Sequence, residues 1–133
     1  MKVILINGSP KKEGCTAEAL KEVASALNGN GIETEFIHVG TKTTDCIACK
    51  SCTKTGKCIN DDVNDIIARL PDIDGIVVGS PVYYAGPSGH ITSFLDRLFY
   101  AGSGFDGKVG AAVVSCRRGG ASAAFDRLNK YFQ

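Results

Sequence analysis

The chain has 133 residues, 44% of them hydrophobic and 22% charged, with a formal net charge of +1. A chain of this length buries about two-thirds of its unfolded surface, and its near-neutral balance offers no global field for nucleic acid or a membrane surface. Residues 1–133 are therefore expected to form a single domain, with any anion site local.

Residues 3–6 form a short apolar run ending in Asn7-Gly8-Ser9-Pro10, the pattern of a strand buried on both faces of a parallel sheet. The run is far too short for a signal peptide or a membrane span, so a cytoplasmic location is expected. The segment from Gly8 to Thr16 then combines two glycines for tight turns, the hydroxyls of Ser9 and Thr16, the cation of Lys11 and the amides of a following helix. Together these make a phosphate cradle. It is not the P-loop of a nucleoside triphosphatase, because five residues separate Gly8 from Gly14 and Cys15 stands where that motif requires lysine.

Ala17, Leu20, Val23, Ala24 and Leu27 recur at helical spacing, and Asn28-Gly29-Asn30-Gly31 turns the chain into a second strand at 34–39. An insertion follows in which Cys46, Cys49, Cys52 and Cys58 are spaced C-x2-C-x2-C-x5-C. Thiolates this close can wrap one metal centre, and four of them close its coordination shell. Disulfides are the competing use of six cysteines, but the spacing and the lack of an export signal favour metal or redox use. Asp61 or Asp62 is expected to cap the next helix, marked by Val63, Ile66, Ile67 and Leu70.

A third strand is expected at 76–78, followed by a Gly- and Pro-rich loop whose Tyr83 and Tyr84 can border a flat heteroaromatic ring. Ile91, Phe94, Leu95, Leu98 and Phe99 mark a helix, 111–114 a fourth strand, and Phe125, Leu128 and Phe132 a last helix. Between these last two lies the basic, flexible loop Ser115-Cys116-Arg117-Arg118-Gly119-Gly120. His38 and His90 read as structural or surface residues rather than ligands. The alternation predicts an α/β, doubly wound parallel sheet with right-handed crossovers, and ligands gather beyond the carboxyl ends of its strands. A phosphate loop, a ring loop and a basic loop on that rim fit a mononucleotide.

The ordered set Gly8-Ser9-Pro10-Lys11 through Gly14-Cys15-Thr16, Ser80-Pro81-Val82-Tyr83-Tyr84, Phe94-Leu95-Asp96-Arg97 and Arg117-Arg118-Gly119-Gly120 resembles the NADPH-dependent FMN reductase-like flavodoxin superfamily. The four-cysteine loop is similar to that of its iron-sulfur flavoprotein branch. The resemblance implies a flavodoxin-like fold, FMN, a 4Fe-4S cluster and a homo-oligomer, dimer or tetramer, with flavin near the subunit interface. It implies that Ser9, Lys11 and Thr16, with Cys15 between the cradle residues, hold the phosphate. Pro81, Val82, Tyr83 and Tyr84 would border the flavin ring, Ser115, Gly119 and Gly120 its far edge, and Arg117 would place positive charge nearby. Family members continue into a fifth strand and helix, so a strand order of 2-1-3-4 is expected here, with the fourth strand as an edge.

Two positions depart from the family pattern or extend it. Cys15 stands where an asparagine is usual, and at a helix N-terminus it is either a passive small residue or a thiol of lowered pKa. For Cys46, Cys49, Cys52 and Cys58, a single four-iron centre is the economical reading, because no second cysteine quartet exists; zinc sites usually pair two more widely separated C-x2-C knuckles. Iron-sulfur, zinc and no metal all stay open at this stage. The expected function is an FMN-dependent oxidoreductase with no side-chain acid–base dyad, taking electrons from NAD(P)H as a transient donor or from a ferredoxin-type partner. A non-catalytic flavodoxin-like carrier and a zinc-stabilised binding module without flavin are the alternatives, and no nucleic-acid or membrane partner is expected.

Overall fold

The computed structural model describes residues 1–133 as a mostly parallel sheet with helices on both faces. Its strands are β1 (Lys2–Asn7), β2 (Glu33–His38), β3 (Gly75–Tyr83), β4 (Gly86–Pro87) and β5 (Val109–Ser115). The helices are α1 (Cys15–Gly29), α2 (Ser51–Thr55), α3 (Asn64–Arg69), α4 (Gly89–Ala101) and α5 (Ala121–Asn129). The parallel strands lie in the order β2-β1-β3-β5, which is the expected 2-1-3-4 order, and β5 pairs only with β3. The fifth strand, β4, is a two-residue antiparallel partner of the end of β3.

Alternation along the central strands decides which helix each residue meets. Ile4, Ile6, Ile76 and Val78 face α3, α4 and α5 in the larger core, with Phe94, Leu98 and Leu128. Val3, Leu5 and Val77 face the other way, against Leu20 and Ala24 of α1. Each strand is apolar on both faces because each face is covered. The carboxyl end of α5 is fastened by Tyr131, whose hydroxyl bonds Asp96 and the Thr92 carbonyl; burial, then Asp96, push its phenol above its ordinary pKa. The Phe99 and Phe105 rings stack nearby with centroids 4.3 Å apart.

Three local expectations are corrected. The third strand runs to Tyr83 rather than ending at Val78, so Pro81, Val82 and Tyr83 are strand residues, because Ser80 and Pro81 continue the pairing with β5. The cysteine insertion, expected as a loop, contains the short helix α2. Neither Asp61 nor Asp62 caps α3, which is preceded by a 3-10 turn with no side-chain cap; the Asp62 carboxylate is used by Arg97 instead.

Gly79 shows how closely α1 is seated on β3. A Cβ there would lie 2.6 Å from Leu20 Cδ1 and 3.0 Å from Thr16 Cγ2. Gly79→Ala is expected to lower unfolding stability by about 1–3 kcal/mol through overpacking. Urea denaturation checks this, and the penalty should shrink in a Leu20→Ala background, where the blocking side chain is gone.

Candidate functional site

The loops beyond β1, β3 and β5 converge through contacts between residues far apart in sequence. Asn7, at the end of β1, folds the first loop around itself. Its amide nitrogen donates to the carbonyls of Lys11 (3.4 Å) and Lys12 (3.2 Å), and its side-chain oxygen accepts from the Ser9 amide at 3.0 Å. Such an Asx turn substitutes for backbone pairing in a loop that cannot form it. The Ser9 hydroxyl accepts from the Lys11 amide, and the His38 ring nitrogen Nε2 lies 2.9 Å from the Ser9 carbonyl. His38 thus supports the backbone of this loop. Ser9 and Thr16 are buried, and no side chain caps α1, so its first amides stay free beside them.

Three contacts join this cradle to its neighbours. The Thr16 and Ser115 hydroxyls are 2.9 Å apart, which sets the end of β5 beside the start of α1. Ser88 donates from its hydroxyl to the Gly8 carbonyl at 2.5 Å and from its amide to the Ser80 hydroxyl at 2.9 Å, while its hydroxyl also caps α4. Gly120 packs against Ala85, where an added Cβ would lie 2.7 Å from the Ala85 Cα; its φ of +89° suits glycine. Ser9, Thr16, Pro81, Val82, Ser115 and Gly120 therefore belong to one rim. Tyr84 and Ala85 form the tip of the β3–β4 hairpin with φ of +48° and +61°, and Tyr84 is fully exposed. Lys11, Cys15, Tyr83, Arg117 and Gly119 are exposed at the margin of the rim.

The cysteine insertion is fastened to α4 beside the same rim. Ser93 bonds Asp45, immediately before Cys46. Arg97 is 1% exposed; its guanidinium bonds both Asp62 oxygens and, at 2.5 Å, the Thr43 hydroxyl. Burial alone would raise the Asp62 carboxyl, but the Arg97 hydrogen bonds and charge, with Thr43, outweigh it and hold the pKa below its ordinary value. Asn64 holds Cys58 with two reciprocal bonds of 2.8 Å to its amide and carbonyl. Cys46, Cys49, Cys52 and Cys58 are free thiols lining one cavity with Arg97 and Tyr100, although no three are drawn together around a single ion position. Ala48 and Lys50 flank Cys49 with φ of +53° and +58°, left-handed conformations that non-glycine residues adopt only when held in place. A cleft bordered by Thr43, Asp45, Tyr83 and Ser93 lies between this insertion and the β3 hairpin.

Sequence reasoning missed the roles of Asn7 and Ser88 and the pairing of Asp62 with Arg97. Asn7 at a strand end and Ser88 before a helix carry turn and cap signatures that point to them. Nothing local signals the pairing of Asp62 with Arg97, 35 residues apart.

The family model described as NADPH-dependent FMN reductase matches residues 1–132. An iron-sulfur flavoprotein of Methanocaldococcus jannaschii is 41% identical over 138 residues, covering 99% of this chain and 72% of that protein. An apo NADH:FMN oxidoreductase is similar in structure, with a TM-score of 0.66 and 25% identity over 95% of this chain and 64% of the other. A flavoenzyme NAD(P)H:(acceptor) oxidoreductase from Paracoccus denitrificans shares the fold, with a TM-score of 0.76 at 20% identity over 98% of this chain and 70% of the other. This chain thus spans 64% to 72% of the lengths of these three proteins. No helix is long and apolar enough to cross a membrane.

Because the folded pKa of Asp62 is depressed, its contribution to stability is fully present above the ordinary carboxylate value of 3.8 and is lost as pH falls through the lower folded value. Urea unfolding across the acid range should show that loss, and Asp62→Asn should flatten it while lowering stability at neutral pH.

Proposed function

This chain belongs to the NADPH-dependent FMN reductase family, and on that premise we propose that it is an FMN-dependent oxidoreductase carrying a 4Fe-4S cluster on Cys46, Cys49, Cys52 and Cys58. The observation that carries the flavin reading is the convergence of three strand-end loops through Thr16–Ser115, Ser88–Gly8 and Gly120–Ala85. Free α1 amides beside buried hydroxyls fit a phosphate monoester, for which a helix N-terminus is electrostatically suited. Ser9, Lys11, Thr16 and the amide of Cys15 would hold that phosphate. Pro81, Val82, Tyr83 and Tyr84 would border the ring, with Ser115, Gly119 and Gly120 at its far edge and Arg117 adding positive charge.

The compact C-x2-C-x2-C run supports a cluster over zinc, whose sites usually pair two more widely separated C-x2-C knuckles. Four free thiols around one cavity are a donor set that a four-iron cluster uses. The left-handed residues on either side of Cys49 also hold the loop in the tight turns that short C-x2-C spacing demands.

FMN supplies two-electron uptake with single-electron release, and a cluster relays one electron at a time. The protein's part is to orient, to exclude water and to set charge. The cleft between Tyr83 and Asp45 separates the ring loop from the cysteine insertion and would admit a donor such as NAD(P)H or the surface of a ferredoxin-type protein. A homodimer or tetramer completes the reading, with the fully exposed Tyr84 at the hairpin tip available to a second chain.

Anaerobically purified and reconstituted protein is expected to contain one FMN and four irons per chain, with broad iron-sulfur absorption, and to turn over NADH or NADPH with a small acceptor. Protein with no flavin sinks the proposal; stoichiometric zinc without iron replaces the cluster; flavin without turnover leaves an electron carrier. Thr16→Val, which removes one hydrogen bond to a charged group, should weaken FMN binding about tenfold or more in fluorescence titration.

A further inference from the structure

Arg97 is buried to 1% exposure, yet its Nε–H has no partner. The outer nitrogens of the guanidinium are committed to Asp62 and Thr43, so the unsatisfied donor is on the stem side of the group. A buried donor left unpaired costs free energy, and the cost is larger when the group is charged. The cavity next to it is lined by the four cysteines. Arg97 is charged there, as a guanidinium in a protein always is, and it lines this cavity together with Cys58. Cys58 is also the cysteine whose backbone is clamped on both sides by Asn64.

We propose that the Arg97 Nε–H donates a charge-assisted hydrogen bond to the Cys58 sulfur of the bound cluster and raises the cluster's reduction potential. The inference rests on the cluster reading above and assigns Arg97 as a positioning residue that acts through Cys58. On reduction one electron enters and no covalent bond forms or breaks; negative charge on the sulfur grows, and the hydrogen bond strengthens with it. Arg97 thereby favours the reduced form. Asp62 opposes part of this, because its carboxylate neutralises the guanidinium beside the cavity. The two members of the ion pair should therefore move the potential in opposite directions, which a merely structural clamp would not do.

The test is an EPR-monitored redox titration of the reconstituted protein, with iron counted in each variant. Arg97→Gln should shift electron uptake at least tenfold toward the oxidised form, 59 mV more negative for one electron. Asp62→Asn should shift it the other way. Arg97→Lys keeps a cation for Asp62 but has no Nε–H, so it should shift in the same direction as Arg97→Gln by less, and it decides the matter if Arg97→Gln does not fold. Four irons per chain with potentials within twofold of the unaltered protein in the equilibrium, or shifts of the same sign at Arg97 and Asp62, overturn this inference and leave the cluster standing. Unaltered protein that takes up no iron overturns both.

Discussion

Asn7 pairs with Gly79 and Gly79 with Val113, and this register between three parallel strands is the constraint on which the rest depends. Because β1, β3 and β5 run in the same direction in fixed register, with β1 ending opposite Gly79, β5 opposite Pro81 and β3 running on to Tyr83, all three release their loops along one edge of the sheet. A slip of one residue would turn Ile4, Ile6 and Val78 from the larger core toward α1 and carry the loop residues to the wrong face. The close seat of Leu20 and Thr16 on Gly79 helps to exclude such a slip, since neither neighbour leaves space for a side chain at that position. Packing at β3 thus sets the height of Thr16, and Thr16 in turn meets Ser115.

The cysteine insertion is attached by different physics. Its large apolar residues Ile47 and Ile59 stay exposed, and its hold on the fold is chiefly polar: Asp45 to Ser93, Thr43 and Asp62 to Arg97, and Asn64 to Cys58. A buried guanidinium is costly to place in an apolar core, and its bonds to Asp62 and Thr43 offset much of that cost. The Asp62 carboxylate is 40% exposed, so the pair contributes more to position than to stability. Position is what the proposed electron relay would require, because the insertion would have to stay beside the β3 hairpin for the two parts to act together.

The chain's place in the NADPH-dependent FMN reductase family is consistent with this division. The strand-end loops make a rim from backbone amides, serine and threonine hydroxyls and close glycine contacts, which suit a phosphate and a flat ring. The thiols are added on a separate insertion after β2. One part rests on a sheet shared with flavin oxidoreductases of 20–25% identity, whereas the other depends on a few side chains from α4 and on the segments flanking the cysteines.

By itself the sequence determined the four parallel strands and the four longer helical segments and their order, but not the short helix α2 or the hairpin strand β4. Short apolar runs such as 3–6 and 76–78 read as strands, and Leu20, Phe94 and Leu98 marked helix faces, because burial leaves a local periodicity. The cradle from Gly8 to Thr16 and the cysteine spacing were legible for the same reason: their chemistry depends on residues close in the chain. Only the tertiary structure decided that β3 extends through Pro81 to Tyr83, that Ser88 ties the ring loop to Gly8, and that Asp62 serves Arg97 rather than a helix end. These depend on which distant segment stands opposite a given group. A strand continues only while a neighbour can pair with it, and a carboxylate caps a helix only if no stronger partner is buried within reach.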